Sequence, residues 1–210
     1  MKKNNIYQIA TFVLGVALII LAFTKTSSDK KAMETSKKEA VIENIHNRKS
    51  VRKYVADRPV SKDDLLTLVK AGMAAPSSKN GQPWAFVAIS ERRTLDRLAD
   101  GLIYAKMLRA APSAIVVCGR TDKDASGKIW PQDCSAAAQN VLLAAEAMGL
   151  GAVWTAAYPY EDRVAAVVEA LELPPHIIPL CVIPVGYPNG TETPKDKWKE
   201  ENLKWEKWGE

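Results

Sequence analysis

DCSAAAQNVLLAAEAMGLG, residues 133–151, is the longest helix-forming segment of this 210-residue chain. Apolar residues, many of them alanine, occupy nearly every side of the helix that the segment predicts over Asp133–Met148. A helix that is apolar all round is buried, so we expect this one to lie in the middle of a domain. Gly149 and Gly151 end it, because glycine is a poor helix former, and a strand is predicted over Ala152–Trp154.

On both sides of this helix the chain alternates between helical and strand patterns. Ser61-Lys62-Asp63-Asp64 resembles a capping box, so a helix begins there. It ends near Ala74–Ala75, because Pro76 disfavours helical geometry in the residue before it. Interleaved helices and strands predict an α+β or α/β sandwich. The other predicted elements are helices over Lys37–His46, Ser90–Leu98 and Glu161–Leu171 and strands over Trp84–Ile89, Ala114–Cys118 and Ile177–Val185, the last interrupted by Pro179 and Pro184.

The composition is that of a globular protein, with 47% hydrophobic and 25% charged residues. The formal net charge is +5, but lysines are concentrated in Lys25–Lys38 and Lys195–Lys207, where acidic residues also occur. Without a clean basic stripe, we do not expect nucleic-acid binding. Three cysteines with no C-x-x-C spacing predict neither a disulfide framework nor a zinc site.

The N-terminus carries an apolar run, Ile9–Phe23, after two lysines. Its 15 residues are fewer than the roughly 20 that span a bilayer, and they match the core of a signal peptide. Counted over residues 6–23, the run is also compatible with an uncleaved membrane anchor. A buried core helix is the alternative. We therefore expect residues 1–35 to be a signal or anchor segment with a polar linker, and residues 36–210 to be the domain.

Arg48-Lys49-Ser50-Val51-Arg52 places three cations and a hydroxyl within five residues. In an extended segment alternate side chains share a face, so Arg48, Ser50 and Arg52 would point the same way. Guanidinium groups flanking a hydroxyl suit a phosphate dianion, because arginine offers paired donors in a fixed fork. An ordinary solvated charge cluster is the alternative interpretation.

A polar loop, Ala75–Trp84, joins a predicted helix to a predicted strand. Its hydroxyl and amide side chains both donate and accept hydrogen bonds, which suits the edge of a heterocycle. Two prolines, Pro76 and Pro83, would stiffen the loop and reduce the cost of ordering it on binding. A surface turn is the alternative.

Small residues dominate the segment Gly149–Ala157, which runs from the helix end through a strand. They would let a flat ligand approach the backbone and accept hydrogen bonds from its N–H groups. Close packing between helix and strand is the alternative explanation.

Together these motifs resemble the nitroreductase superfamily of FMN flavoproteins. The superfamily pattern is R-x-S-x-R, then P-S-S-x-N-x-Q-P-W, then a helix A-A-x-N-x-x-L-A-A-x-x-x-G-L-G, then G-Y-P followed by basic residues. All four occur here in that order, and the resemblance covers about residues 40–200. They lie at Arg48–Arg52, Pro76–Trp84, Ala137–Gly151 and Gly186–Pro188 with Lys195 and Lys197.

The resemblance implies an α+β nitroreductase-like sandwich with a central mixed sheet flanked by helices. It also implies a homodimer with FMN at the subunit interface. The C-terminal tail is rich in aromatic residues, Trp198, Trp205 and Trp208, which predicts an arm that packs on the partner subunit, because aromatic side chains are favoured interface anchors. A free amphipathic tail is the alternative. The implied cofactor-binding residues are Arg48, Lys49, Ser50 and Arg52 with Lys195 and Lys197 at the phosphate and ribityl chain, Pro76, Ser77, Ser78, Asn80 and Gln82 beside the flavin, and Thr155, Ala156 and Ala157 along its ring.

The implied activity is electron transfer from NADH or NADPH through FMN to a small acceptor such as a nitroaromatic or a quinone. In such enzymes the cofactor carries the electrons, so no catalytic side chain or metal ligand is expected. Two departures stand out: some members have an acidic residue where Ala156 aligns, and Lys197 replaces a common arginine. Reductive dehalogenation, flavin fragmentation and a non-catalytic binding module are the alternatives.

Overall fold

The computed structural model describes residues 36–124 and 127–209. The chain divides into two units, residues 1–45 and 46–210. Residues 36–47 are helical (α1), in agreement with the helix predicted over Lys37–His46. The predicted signal or anchor segment and its linker lie outside the described residues. Within the described ranges no helix has both the length and the apolar character to cross a bilayer.

A five-stranded sheet forms the centre of the second unit. The strands are β1 (Trp84–Ile89), β2 (Ser113–Arg120), β3 (Gly151–Ala152), β4 (Thr155–Ala156) and β5 (Ile177–Gly186). The strand order is β1-β2-β5-β3, and β4 also pairs with β5. These strands pair antiparallel throughout, while an isolated bridge between Ser50 and Ala152 is parallel, so the expected mixed pairing is confined to this bridge.

Helices cover both faces of this sheet. The helices are α2 (Lys62–Met73), α3 (Arg92–Gly101), α4 (Trp130–Ala147) and α5 (Glu161–Leu171). Alternate residues of β2 face opposite sides, so Ile115 and Val117 pack with α2 and α4, whereas Val116 and Cys118 pack with α3 and α5. The α+β sandwich is therefore confirmed.

The alanine-rich helix α4 is buried along its length, as its sequence predicts. It begins three residues earlier than expected, at Trp130. Pro131 is tolerated in the first turn, because N–H groups there have no partner within the helix and the missing N–H of proline breaks no hydrogen bond. Gly149 takes the left-handed conformation (φ 69°) just after its end. The helix start predicted at Ser61 is also confirmed, because the Ser61 hydroxyl accepts a hydrogen bond from the Asp64 N–H at 3.0 Å and so caps α2.

Two strand predictions need correction. The strand expected over Ala152–Trp154 is two short strands, β3 and β4, with residues 153–154 between them. The last strand, β5, is continuous through Pro179 and Pro184. Pro179 is accommodated because the register against β2 shifts, leaving Leu180 without a partner there. Such a bulge tolerates a residue that cannot donate to the ladder.

The three cysteines are fully buried and act as small apolar side chains. Burial is the main cause that raises the pKa of the Cys118 and Cys134 thiols to about 12. Both thiols therefore stay protonated near neutral pH.

Candidate functional site

The segment 48–52 lies along the edge of β3 that faces away from β5. The Val51 N–H donates to the Ala152 carbonyl oxygen at 3.0 Å, and Ser50 forms the parallel bridge. Val51 is buried against Gly151, where a Cβ atom would lie 2.5 Å from Val51 Cγ1. The absence of a side chain at Gly151 therefore lets this segment dock on the sheet.

Two segments of the chain that are about 140 residues apart meet at this edge and line a cavity of about 570 Å³. We call it the cationic cavity. The predicted phosphate-binding residues are brought together here, although the sequence separates them widely. The lining residues are Arg48, Lys49, Ser50 and Arg52 from the first segment and Thr191, Glu192, Thr193, Lys195 and Lys197 from the second.

The cations of this cavity are not equivalent. The Lys49 ammonium lies 3.0 Å and 3.3 Å from the two carboxylate oxygens of Glu146 on α4, so its charge is already paired. A Glu192 carboxylate oxygen accepts a hydrogen bond from the Arg52 backbone N–H at 3.4 Å. Arginine and lysine around a serine hydroxyl form a donor set for a phosphate dianion, so the residues present fit the predicted anionic ligand.

The predicted polar loop, Ala75–Trp84, lines a different cavity, and its residues 76–83 are called the loop below. That cavity has a volume of about 390 Å³, and Ser78 and Asp133 both line it. The Ser78 N–H donates to the Asp133 carboxylate at 3.0 Å. None of the residues that line the cationic cavity also lines this one. A single chain therefore places the two predicted halves of the site apart.

The backbone of this loop is strained. Lys79, Asn80 and Gln82 have φ values of 50°, 55° and 48°, a region that side chains other than glycine rarely adopt. Local hydrogen bonds hold the loop: the Gln82 N–H donates to the Ser77 hydroxyl, and the Gln82 side-chain amide donates to Asn80. Strain of this kind concentrates at binding sites. Pro76, the first residue of the loop, is exposed.

Strand β4 lies at the sheet edge, and the backbone groups of Ala156 face away from its partner strand. The Ala157 N–H donates to the Leu180 carbonyl oxygen at 3.0 Å, and the Thr155 hydroxyl donates to Val182. In an antiparallel ladder, backbone groups point alternately toward and away from the partner strand. Because Ala157 faces β5, the N–H and C=O of Ala156 point away from it. Leu180, whose carbonyl oxygen accepts this hydrogen bond from Ala157, is the bulged residue next to Pro179 in β5.

The cationic cavity and Ala156 lie along the same sheet edge. Ala152, next to the cavity, pairs with Val185, and Ala156 pairs with Cys181. Four residues of strand separate these pairs, which is about 13 Å at the usual rise per residue. An elongated ligand with an anionic end and a flat end could therefore contact both places.

Sequence reasoning missed four contributors to the site. Glu146 pairs with Lys49, Asp133 holds the loop, Glu192 enters the cationic cavity, and Arg163 approaches Ala156. A local signal existed for Asp133 and Glu146, since each is an acidic residue in an otherwise apolar helix. The contacts of Glu192 and Arg163 depend on tertiary structure.

Comparison with known proteins agrees with the motifs. The sequence profile of the Nitroreductase family matches residues 45–103 and 99–187. The chain belongs to the nitroreductase family. A relative from Methanothermobacter thermautotrophicus, provisionally named NADH dehydrogenase/NAD(P)H nitroreductase, is 40% identical over 168 residues, which are 80% of this chain and 87% of the relative.

Solved nitroreductase-family structures share this fold. A protein from Parabacteroides distasonis, also provisionally named NADH dehydrogenase/NAD(P)H nitroreductase, is 54% identical with a TM-score of 0.77, covering 80% of this chain and 99% of its own. A provisionally named nitroreductase from Desulfovibrio desulfuricans, solved in complex with FMN, is 30% identical with a TM-score of 0.70, covering 80% and 98%. The resemblance drawn from the four motifs is confirmed.

Proposed function

We propose that this protein is an FMN-dependent NAD(P)H oxidoreductase that reduces small electron-poor acceptors such as nitroaromatics or quinones. The observation that carries the proposal is the cationic cavity on the same sheet edge as the outward N–H of Ala156. The FMN-bound relative from Desulfovibrio desulfuricans supports the choice of cofactor. The names of the relatives from Methanothermobacter thermautotrophicus and Parabacteroides distasonis support NAD(P)H as the donor.

The residues of this chain would bind and orient the cofactor. Arg48, Ser50 and Arg52, with Lys195 and Lys197, would hold its phosphate and ribityl chain. The Ala156 N–H would donate to the ring, and the small side chains of β4 would allow close approach. FMN, when bound, supplies the reversible uptake and release of electrons. The chain's contribution is therefore binding and orientation, and we assign no catalytic side chain.

A homodimer would complete this site. The loop residues Ser77, Ser78, Asn80 and Gln82 line no part of the cationic cavity in their own chain. We infer that a second copy brings its loop to the flavin. Trp198, Trp205 and Trp208 are 69%, 80% and 81% exposed, and aromatic side chains are favoured interface anchors. The C-terminal arm would therefore pack on the partner, and a dimer mass in light scattering would test this.

An absorbance spectrum of the full-length protein, supplied with FMN and then with NADH or NADPH without oxygen, tests the function. Flavin bands that stay with the protein and bleach with either nicotinamide are expected. Bands that do not bleach would overturn the donor but keep the cofactor. A protein that retains no flavin would point to a non-catalytic binding module.

We further propose that residues 6–23 direct the protein to a membrane, as an anchor or as an export signal. The apolar run Ile9–Phe23 and the polar linker after it support this. Deleting Met1–Lys31 should give a soluble protein that still binds FMN, measured by cell fractionation and absorbance. Aggregation of the shortened protein would instead mean that the run belongs to the core.

A further inference from the structure

Arg163, in the first turn of α5, lies over two aromatic rings. Its guanidinium carbon lies 3.8 Å from the centre of the Tyr160 ring and 4.9 Å from that of Tyr104. Arginine stacks on aromatic faces in this way because its planar cation is weakly hydrated. The guanidinium therefore packs against two aromatic rings.

No acidic partner neutralises this cation in the described part of the chain. The salt bridges found there do not include Arg163. Its Nε atom is buried and has no hydrogen-bond partner among the described residues. Because burial of an unpaired donor costs free energy, we expect the charge of Arg163 to have a functional role.

The contact of Arg163 with β4 places this charge at the candidate site. One guanidinium nitrogen lies 3.5 Å from the Ala156 carbonyl oxygen. That carbonyl points to the same side of β4 as the Ala156 N–H, because both groups of one strand residue face the same way. The cation thus stands on the edge where the N–H would meet the flavin ring, and Ala156 brings no charge of its own.

We propose that the positive charge of Arg163 makes the bound FMN easier to reduce. This inference rests on the proposed function. In that reaction NAD(P)H gives up two electrons and one proton as it becomes NAD(P)⁺, and FMN takes them up. Added electrons make the ring more negative, so a nearby cation stabilises the reduced form more than the oxidised form.

Variants of Arg163 separate charge from packing. Arg163→Gln and Arg163→Met both remove the charge, and Arg163→Met keeps an apolar stem between the two tyrosine rings. Arg163→Lys keeps the charge. Arg97→Gln is the matched control, because Arg97 also donates to a backbone carbonyl, that of Glu169, at 3.2 Å. Glu169 lies six residues further along α5, about 9 Å from Arg163 by helix rise.

The measurement is the midpoint potential of FMN bound to the full-length protein, with its affinity for oxidised FMN as the companion value. The neutral variants should lower the equilibrium constant for reduction at least ten-fold, a shift of about 30 mV for a two-electron couple. Their affinity for oxidised FMN should stay unchanged. Arg163→Lys should restore most of the potential, and Arg97→Gln should keep it.

The two proposals fail in different ways. A parent protein that binds no FMN overturns the proposed function and this inference with it. A parent that binds FMN, with neutral variants at the same potential, overturns only the inference. An equal drop in Arg163→Lys and Arg163→Gln would also overturn it, because geometry and not charge would then set the potential.

Discussion

The cationic cavity and the loop 76–83 carry comparable polar chemistry, but their backbones are held in different ways. The segment 48–52 is fixed to the sheet through a backbone hydrogen bond and a buried valine. The loop is fixed by side chains, above all by Asp133, and has three residues other than glycine at positive φ. Backbone pairing to a sheet is hard to deform, whereas a side-chain anchor is lost with one substitution. We therefore expect the two halves to respond differently to mutation.

The largest effect is expected from Gly151→Ala. The new Cβ would lie 2.5 Å from Val51 Cγ1, so the segment 48–52 must move off the sheet edge. Overpacking of this kind costs about 1–3 kcal/mol of unfolding free energy, and FMN binding should fall with it. Chemical denaturation and FMN titration would measure both. The control in the other half is Gly81→Ala, whose nearest contact is 3.2 Å; an equal loss of FMN there would contradict the distinction between the halves.

Next in size is the loss of a single arginine from the cationic cavity. Arg48→Ala or Arg52→Ala should weaken FMN binding by about 1–3 kcal/mol, because each removes a charge-assisted contact. Retention of flavin through gel filtration and titration of its fluorescence would measure this. The control is Lys79→Ala, which removes a cation from the other cavity, the one lined by the loop 76–83. If both arginine variants kept flavin as well as the parent does, the phosphate site would be wrong.

A smaller effect is expected when the loop anchor is weakened. Asp133→Asn keeps an acceptor for the Ser78 N–H but removes its charge, so the unfolding free energy should fall by about 1 kcal/mol. Hydrogen exchange at the Ser78 amide should accelerate, while the Val51 amide on the sheet edge stays protected. Faster exchange at both amides would mean that the halves are not independent.

The smallest effect concerns the pair Lys49–Glu146, whose side chains are 26% and 17% exposed. A double-mutant cycle with Lys49→Ala and Glu146→Ala should give a coupling of about 0.5–1 kcal/mol in stability. Because its charge is already paired, Lys49→Ala should weaken FMN binding less than Arg52→Ala does. An equal loss would show that Lys49 binds the cofactor as strongly as the arginines.

Much of the fold was predictable because it is written in local patterns. The strand Trp84–Ile89 and the helix Glu161–Leu171 have the predicted bounds, since apolar periodicity and flanking turn residues mark both ends. The broken strand at residues 153–154 was not predictable, because small and apolar residues there continue the strand pattern. Its division depends on pairing with β5, which local sequence does not encode.

The candidate site also has features that local sequence predicts and features that depend on tertiary structure. The R-x-S-x-R, loop and G-L-G motifs are local, so the residues that belong to the site could be named before their positions were known. The resemblance also grouped Arg48–Arg52 with Lys195 and Lys197, and these residues line one cavity. The motifs did not predict that the loop lines a separate cavity of the same chain. The pairing of Lys49 with Glu146 also lowers the free charge that the motif suggests.

By itself the sequence determined a layered fold of the α+β or α/β class, the buried helix α4 and the residue types of an anion-binding and ring-lining site. These follow from periodicity, capping and turn chemistry, which act over a few residues. Only the tertiary structure decided the bulge at Leu180, the outward N–H of Ala156 and the cation of Arg163 beside it. Those features depend on strand register and packing between residues far apart in the chain, and register is set by the whole sheet.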